Sequence, residues 1–305
     1  MIGYAMMRGM TLEQLRLFIA VAEREHVTAA ARALHITQSA VSAAIAALEA
    51  RHGVRLFHRV GRGIRLTEAG QLFLPEARAV LARVEAAENM LDAFAGLECG
   101  TLRVAASQTI AAYWLPPVLV RFRQRYPLIA VELSITNTIE AARRVREGGV
   151  DLGIVEGVVD DPTLVQWPLA HDRMLLVGPT PCLPGVVDAH WLRTATWVMR
   201  EAGSGTRATL EGYLRQWSIE PASLAVSLVL PSNESVRTAV EAGAGISALS
   251  ALVVAPALAS GRLHAVPQAL GERAFYGLRH RERYRSPAAD ALLELITTAY
   301  GKKTA

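Results

Sequence analysis

Cysteine is scarce in this chain. Of 305 residues only Cys99 and Cys182 carry a thiol, and neither stands in a CxxC or Cys/His spacing. A disulfide framework and a cysteine-based metal site are therefore not expected, and no other metal or cofactor motif takes their place. Long apolar runs are missing as well. Arg, Glu, Gly or Pro interrupts each stretch short of the ~18 residues that a spanning helix needs, so no membrane partner is expected. The opening MIGYAMMRGM lacks an apolar core of the length of a secretory signal, which leaves the cytoplasm as the expected compartment. Met6, Met7 and Met10 offer alternative starts. Catalytic signatures are also absent. Ala202-Gly203-Ser204-Gly205 breaks the GxSxG pattern, and there is no HExxH and no Walker loop. No residue is assigned a catalytic role, and an enzyme is not expected.

What is present is a globular composition, 51% apolar and 20% charged, on a chain long enough for two or three domains. Its charge is unevenly placed. Residues 1–66 hold nine arginines against four glutamates, a surplus of five, which leaves residues 67–305 at −1 within a total of +4. Arg51, Arg55, Arg59, Arg62 and Arg65 follow one another with no acid between them. Such a run suits a polyphosphate partner.

The N-terminal stretch reads as three helices. Thr11 and Gln14 form a capping box ahead of Leu12, Leu15, Ile19 and Ala22 at helical spacing. Thr28 is expected to cap a second, short helix, TAAARALH. After a turn at Ile36-Thr37, a third helix from Gln38 buries Val41, Ile45 and Leu48 and stops at Gly53, a residue suited to a left-handed cap. Two helices joined by a short turn form a helix-turn-helix, and LFHRVGRGIRLT, folded about Gly61-Arg62-Gly63, reads as a hairpin wing. In that arrangement the third helix enters the major groove and the wing arginines follow the phosphates. Small side chains at Ala40, Ala43 and Ala46 permit close approach, while Gln38, Ser39 and Ser42 can meet base edges or phosphates.

Thr67 can cap a long helix running to about Gly96. Phe73, Ala77, Val80, Val84, Ala87, Leu91 and Phe94 recur in steps of four and three, an a/d seam that predicts a dimer contact, with a bend or delayed start at Pro75. From Thr101 strands and helices alternate. TLRVAAS, AVELSI, LGIVEG, RMLLVGP, TWVMRE, SLAVSLVLP and GISALS read as strands, predicting an α/β fold with mostly parallel sheets. Three strand ends run into small polar residues at helix starts, at Ser107-Gln108-Thr109, Ser204-Gly205-Thr206-Arg207 and Ser232-Asn233-Glu234. Such ends suit a small carboxylate or oxyanion.

Taken together, AARALHITQSAVSAAIAALEARHGVRLFHRVGRGIRLTEAG resembles the N-terminal signature of LysR-type transcriptional regulators, and REAGSGTR and SNESVRTAVEAGAGISALS resemble stretches of their effector domains. The resemblance implies a winged helix-turn-helix over residues 10–66, a dimerising linker helix over 67–96 and an effector domain over 97–305. That domain is expected to resemble type 2 periplasmic binding proteins, with lobe one over 97–168 and 268–305 and lobe two over 169–267. By the same likeness Thr37, Gln38, Ser39 and Ser42, with Arg59, Arg62 and Arg65 of the wing, contact promoter DNA. Ser107, Thr109, Ile110, Glu156, Ser204, Gly205, Thr206 and Glu234 are expected around a small anionic effector between the lobes. Phe73, Val80, Val84 and Leu91 are expected in the dimer seam, homodimers assemble to a homotetramer, and RNA polymerase is a further partner. One departure stands out: the position after Ser42 is often arginine in the family, and here it is Ala43. Two other readings remain open at this stage. One is a solute-binding module whose N-terminal domain only dimerises. The other is an enzyme acting on a small acid, with Glu156 and Glu234 its only candidate acids or bases.

Overall fold

The computed structural model describes residues 9–61, 63–94, 100–179 and 187–300. Arg62, Cys99 and Cys182 lie outside these residues, and the side chain of Phe94 is likewise outside what is described. The chain forms two units, the first running to Glu88 and the second taking up nearly all of the rest.

The first unit begins with α1 (Leu12–Arg24), and its capping box is formed: Thr11 Oγ1 accepts from the Gln14 amide and Gln14 Oε1 from the Thr11 amide, both at 3.1 Å. The second helix, α2 (Val27–Ala33), starts one residue earlier than expected, with His26 and not Thr28 as its cap. The His26 ring nitrogen accepts from the Ala29 amide, a role that short polar side chains usually take. Helix α3 (Gln38–His52) follows, capped by Thr37 and ended by Gly53 at φ +63°. Val41, Ile45 and Leu48 are buried against Leu15, Phe18, Val21 and Leu56. Burying each such side chain contributes about 1.5–3 kcal/mol, and that packing fixes which face of α3 is left outside. Strands β1 (Phe57–Val60) and β2 (Gly63–Leu66) pair antiparallel around a turn with Gly61 at φ +58°, as expected for the wing.

Helix α4 (Glu68–Phe94) follows, capped by Thr67 and carrying Pro75 within it. Its seam divides in two. The Phe73 ring lies tilted against Phe18 with centroids 5.0 Å apart and Ala77 is fully buried, so this part packs on the module's own core. Phe73 itself is half-buried. Val80 and Leu91 are exposed, at 42% and 70%, and Val84 is half-buried.

In the second unit β3 (Gly100–Ser107), β4 (Ile129–Thr136) and β5 (Leu152–Glu156) lie parallel, linked by a π-helical turn at Ile110–Trp114, by α5 (Pro116–Arg125) and by α6 (Thr138–Glu147). The next strand, β6 (Leu164–Gly178), is longer than RMLLVGP suggested. It is joined to α7 (Ala189–Thr194), β7 (Thr196–Arg200), α8 (Gly205–Gln216), β8 (Ala225–Leu230), α9 (Asn233–Glu241), β9 (Ser247–Ser250) and α10 (Ala251–Ala259). Then β10 (His264–His280), unread in the sequence, returns, and α11 (Pro287–Tyr300) packs against the first lobe. The strand order β4-β3-β5-β10-β6-β9 makes one sheet, with β7 and β8 paired beside it.

The expectation of mostly parallel sheets fails here. Strand β10 runs antiparallel to both β5 and β6, and β6 antiparallel to β9. The reason is topological: β6 and β10 are the two strands that pass from one lobe to the other, one outward and one back. Leu102, Val104, Ala106, Ile154 and Phe275 form the core of the first lobe with Trp114 and Leu292, while Leu176, Trp197, Met199 and Leu214 fill the second.

Candidate functional sites

In the first unit, the α3 residues not spent on the core form an exposed face. Gln38, Ser39, Ala40, Ala43 and Ala46 are exposed and Ser42 is half-buried. The hydroxyls on this face are already ordered. Thr37 Oγ1 accepts from the Ala40 amide and lies 3.1 Å from Ser39 Oγ, and Gln38 Nε2 donates to Ser42 Oγ at 3.0 Å. Thr37 therefore acts first as the helix cap, and Gln38 and Ser39 stand exposed beside it. On the wing Arg59 is exposed, with no ion pair among the described residues. The acid-free run of arginines is not acid-free in space. Arg55 donates to buried Glu49 at 2.9 Å while Glu49 Oε1 also accepts the amides of Leu56 and Phe57, so this carboxylate fixes the α3–wing junction. Arg65 lies 3.7 Å from Glu25, both well exposed. Such a pair is worth little and leaves the guanidinium open to a stronger anion.

The second unit brings three of the expected effector residues, Thr109, Glu156 and Thr206, together between its lobes around a residue that the sequence reading missed. Arg273, on β10, is 5% exposed. Its Nη2 donates to Asp172 Oδ2 at 2.7 Å, and its Nη1 to Glu156 Oε2 at 2.8 Å and Thr206 Oγ1 at 3.1 Å. Nη2 also reaches Thr109 Oγ1 at 3.3 Å. Arg273 and Asp172 are register partners on the two crossing strands, Glu156 and Thr109 belong to the first lobe, and Thr206 opens α8 of the second. One guanidinium thus ties both lobes to the strands between them.

Direct bonds add to this closure. Asn233 Nδ2 donates to Thr109 Oγ1 at 2.9 Å, the Asn233 amide donates to Gln108 Oε1, and the Ile139 amide donates to the Gly203 carbonyl at 3.3 Å. Arg200, also nearly buried, holds Glu201 through two hydrogen bonds and donates to Asn233 Oδ1. Gly205 sits where a Cβ would lie 2.4 Å from the Glu156 carbonyl, so only glycine lets α8 come this close.

The electrostatics follow from burial. Burial pushes the Asp172 carboxyl above the usual aspartate range, and the charge and hydrogen bonds of Arg273 offset that only in part. For Glu201 the balance is reversed: burial raises it, but the hydrogen bonds and charge of Arg200 outweigh burial and hold it below the usual range. Burial, reinforced by the neighbouring Glu234 carboxylate, pushes the Tyr113 hydroxyl up. That hydroxyl donates to Glu234 Oε1 at 3.1 Å.

Among the described residues, two buried side-chain polar atoms have no hydrogen-bond partner, Ser107 Oγ and Glu156 Oε1. Ser204 precedes α8 without capping it through its side chain. Ile110 is the expected site residue that the structure moves elsewhere: its side chain is fully buried in the first lobe's core with Trp114 and Leu115. Glu234 stands at the cleft but is engaged by Tyr113. Arg273, Asp172, Arg200 and Asn233 were missed. The one local signal was an arginine inside the alternating segment ERAFYGL, whose partner lies 101 positions away.

Comparison with known proteins adds the following. Residues 12–71 match the family model described as a bacterial regulatory helix-turn-helix protein of the lysR family, and residues 95–301 match the LysR substrate binding domain. The chain is 35% identical over 293 residues to the HTH-type transcriptional regulator YeiE of Escherichia coli K12, covering 95% of this chain and 98% of that one. Among solved structures it is similar to full-length CbnR complexed with its target DNA, with a TM-score of 0.67 at 24% identity over 95% of this chain and all of the other. It also matches the regulatory domain of CcmR from Synechocystis PCC6803, solved in complex with 2-PG. There the TM-score is 0.60 at 25% identity, over 67% of this chain and 99% of that domain.

Proposed function

Because the chain belongs to the LysR family of DNA-binding transcriptional regulators with an effector-binding domain, we propose that it reads its promoter through α3 and the wing, and that a small acid in the inter-lobe cleft controls it. The observation that carries the DNA reading is the exposed, unbranched face of α3 beside the exposed Arg59. Gln38 and Ser39 meet base edges, Ser42 and Thr37 support them, and Arg59, Arg62 and Arg65 supply salt-dependent affinity by displacing counterions.

In this proposal the effector lies between the lobes, and the CcmR regulatory domain's complex with 2-PG supports, by analogy, a ligand in this domain. Ser107, Ser204, Gly205 and Thr206 are its nearest polar residues in this proposal, with Thr109 and Glu156 behind them. An acid at that place meets the first-turn amides of α8, where a helix N-terminus favours negative charge. Because Arg273 and the Asn233 bonds already hold the lobes together, effector binding shifts an existing balance between arrangements. The shift passes to DNA through dimers joined at Val80, Val84 and Leu91 of α4 and paired into tetramers, which act in the cytoplasm beside RNA polymerase.

The test is a gel shift with the intergenic DNA upstream of the gene, run against excess unrelated DNA. The expected result is a shift that unrelated DNA does not compete away. A solute-binding module would give no shift at all.

A further inference from the structure

We infer that the effector is a zwitterion, an acid that also carries a protonated amine, with the amine on Glu156 Oε1 and the acid on Ser107 Oγ. This rests on the reading of the cleft as the effector site and adds the chemical class of what fills it.

Ser107 and Glu156, which carry the two orphan atoms, are each 2% exposed, and a buried polar atom left unpaired is destabilising, more so when it is charged. Each therefore calls for a partner, and register decides whether one group can serve both. Ala106 of β3 pairs with Ile154 of β5, so those two side chains share a face of the sheet. Ser107 is the next residue on β3 and turns to the other face. Glu156, two beyond Ile154, returns to the first.

The packing agrees. Ile154, Ala106 and Phe275, the register partner of Glu156, belong to one core, while Ala105 and Val155 belong to another with Ala141 and Val145 of α6. The orphan atoms thus flank the ends of β3 and β5 from opposite faces. A ligand that satisfies both must pass over the strand ends with a different polar group at each side.

Charge then fixes the groups. The buried cluster of Glu156, Asp172 and Arg273 sets two carboxyl groups against one guanidinium. Both Asp172 oxygens accept hydrogen bonds, from Arg273 and from Ser250 Oγ at 2.9 Å, and Glu156 Oε2 accepts from Arg273 and Thr206. The remaining acceptor is Glu156 Oε1, and it needs a donor, best a cationic one. At the other face the Ser107 hydroxyl can donate. The first turn of α8 spans the two faces, with Thr206 on Glu156 and Gly205 against the Glu156 carbonyl and Thr138 Oγ1 of α6. Those uncapped amides favour the acidic end.

The full chain is tested by thermal shift with each common L-amino acid beside its counterpart lacking the amine, such as aspartate against succinate and alanine against propionate. DNA binding is measured on the same preparation. At least one amino acid is expected to raise the melting temperature while its partner without the amine does not. Glu156→Gln, checked for folding by its own denaturant unfolding, is expected to weaken that response at least ~10-fold in ligand concentration. Ser107→Ala is expected to weaken the response through the acidic end. Equal stabilisation by the acid without its amine, no response to any amino acid, or an undiminished response in Glu156→Gln would each overturn the inference. The regulator reading is judged separately: it fails on loss of the wild-type DNA shift and stands if DNA binding responds to a plain acid.

Discussion

At the scale of single residues, the α3 face rests on contacts within one helix and the Arg273 cluster on contacts between distant strands. Gln38, Ser39 and Ala43 owe their exposure to a stripe of Val41, Ile45 and Leu48 spaced within the same helix, so local periodicity suffices. Arg273 owes its role to Glu156 and Asp172, which reach it only through the folding of distant strands, and nothing in ERAFYGL announces them. Both cases yield predictions. Ala43 is exposed on the reading face, where a longer basic side chain gains a phosphate or base contact. Ala43→Arg is expected to tighten operator binding, and competition with unrelated DNA reveals whether selectivity falls as affinity rises. Arg273→Met removes the only cation that pairs, among the described residues, with the two buried carboxyl groups of Glu156 and Asp172. The second unit is expected to lose about 3–5 kcal/mol, read by denaturant unfolding, and adding Asp172→Asn is expected to recover part of it.

At the scale of elements, boundaries followed capping chemistry where the cap was ordinary and slipped where it was not. Thr11, Thr37 and Thr67 cap their helices as read, whereas His26 displaced Thr28 because a ring nitrogen can accept the amide bond just as well. The heptad seam of α4 divides, since Phe73 and Ala77 pack on the core around Phe18 while Val80 and Leu91 do not. Val80 and Leu91 remain exposed, and Val80→Glu combined with Leu91→Glu is expected to convert the dimer to monomer in sedimentation while leaving the DNA-binding module folded. Helix α6 carries a pH prediction. Two hydrogen bonds from Arg143, at 2.6 and 2.7 Å, with support from Arg144, hold the Glu140 carboxyl down to about 2. A carboxyl lowered in the folded state stabilises above its unfolded value, near 4.5, and loses that contribution as pH falls toward about 2. The melting temperature of wild type is therefore expected to exceed that of Glu140→Gln at neutral pH. The gap should close across that acid window, and a gap independent of pH contradicts the assignment.

At the scale of the whole molecule, the order of parts was readable because each has its own texture: an arginine-rich three-helix module with a wing, a long helix, then alternating strands and helices. The return strand β10 was not readable, and it turned an expected parallel sheet into a mixed one. It is also the strand that carries Arg273, so that residue was missed together with its strand. The central claim is that α3 and the wing divide the work of reading DNA, with base contacts on one and phosphate attraction on the other. The measurement that bears on it most directly is the salt dependence of binding to the upstream intergenic fragment, by wild type and by Arg62→Ala. The account predicts weaker binding by Arg62→Ala to all sequences, a logarithmic salt slope lower by about one, and an unchanged preference for the specific fragment. Unchanged affinity and slope in Arg62→Ala would contradict it.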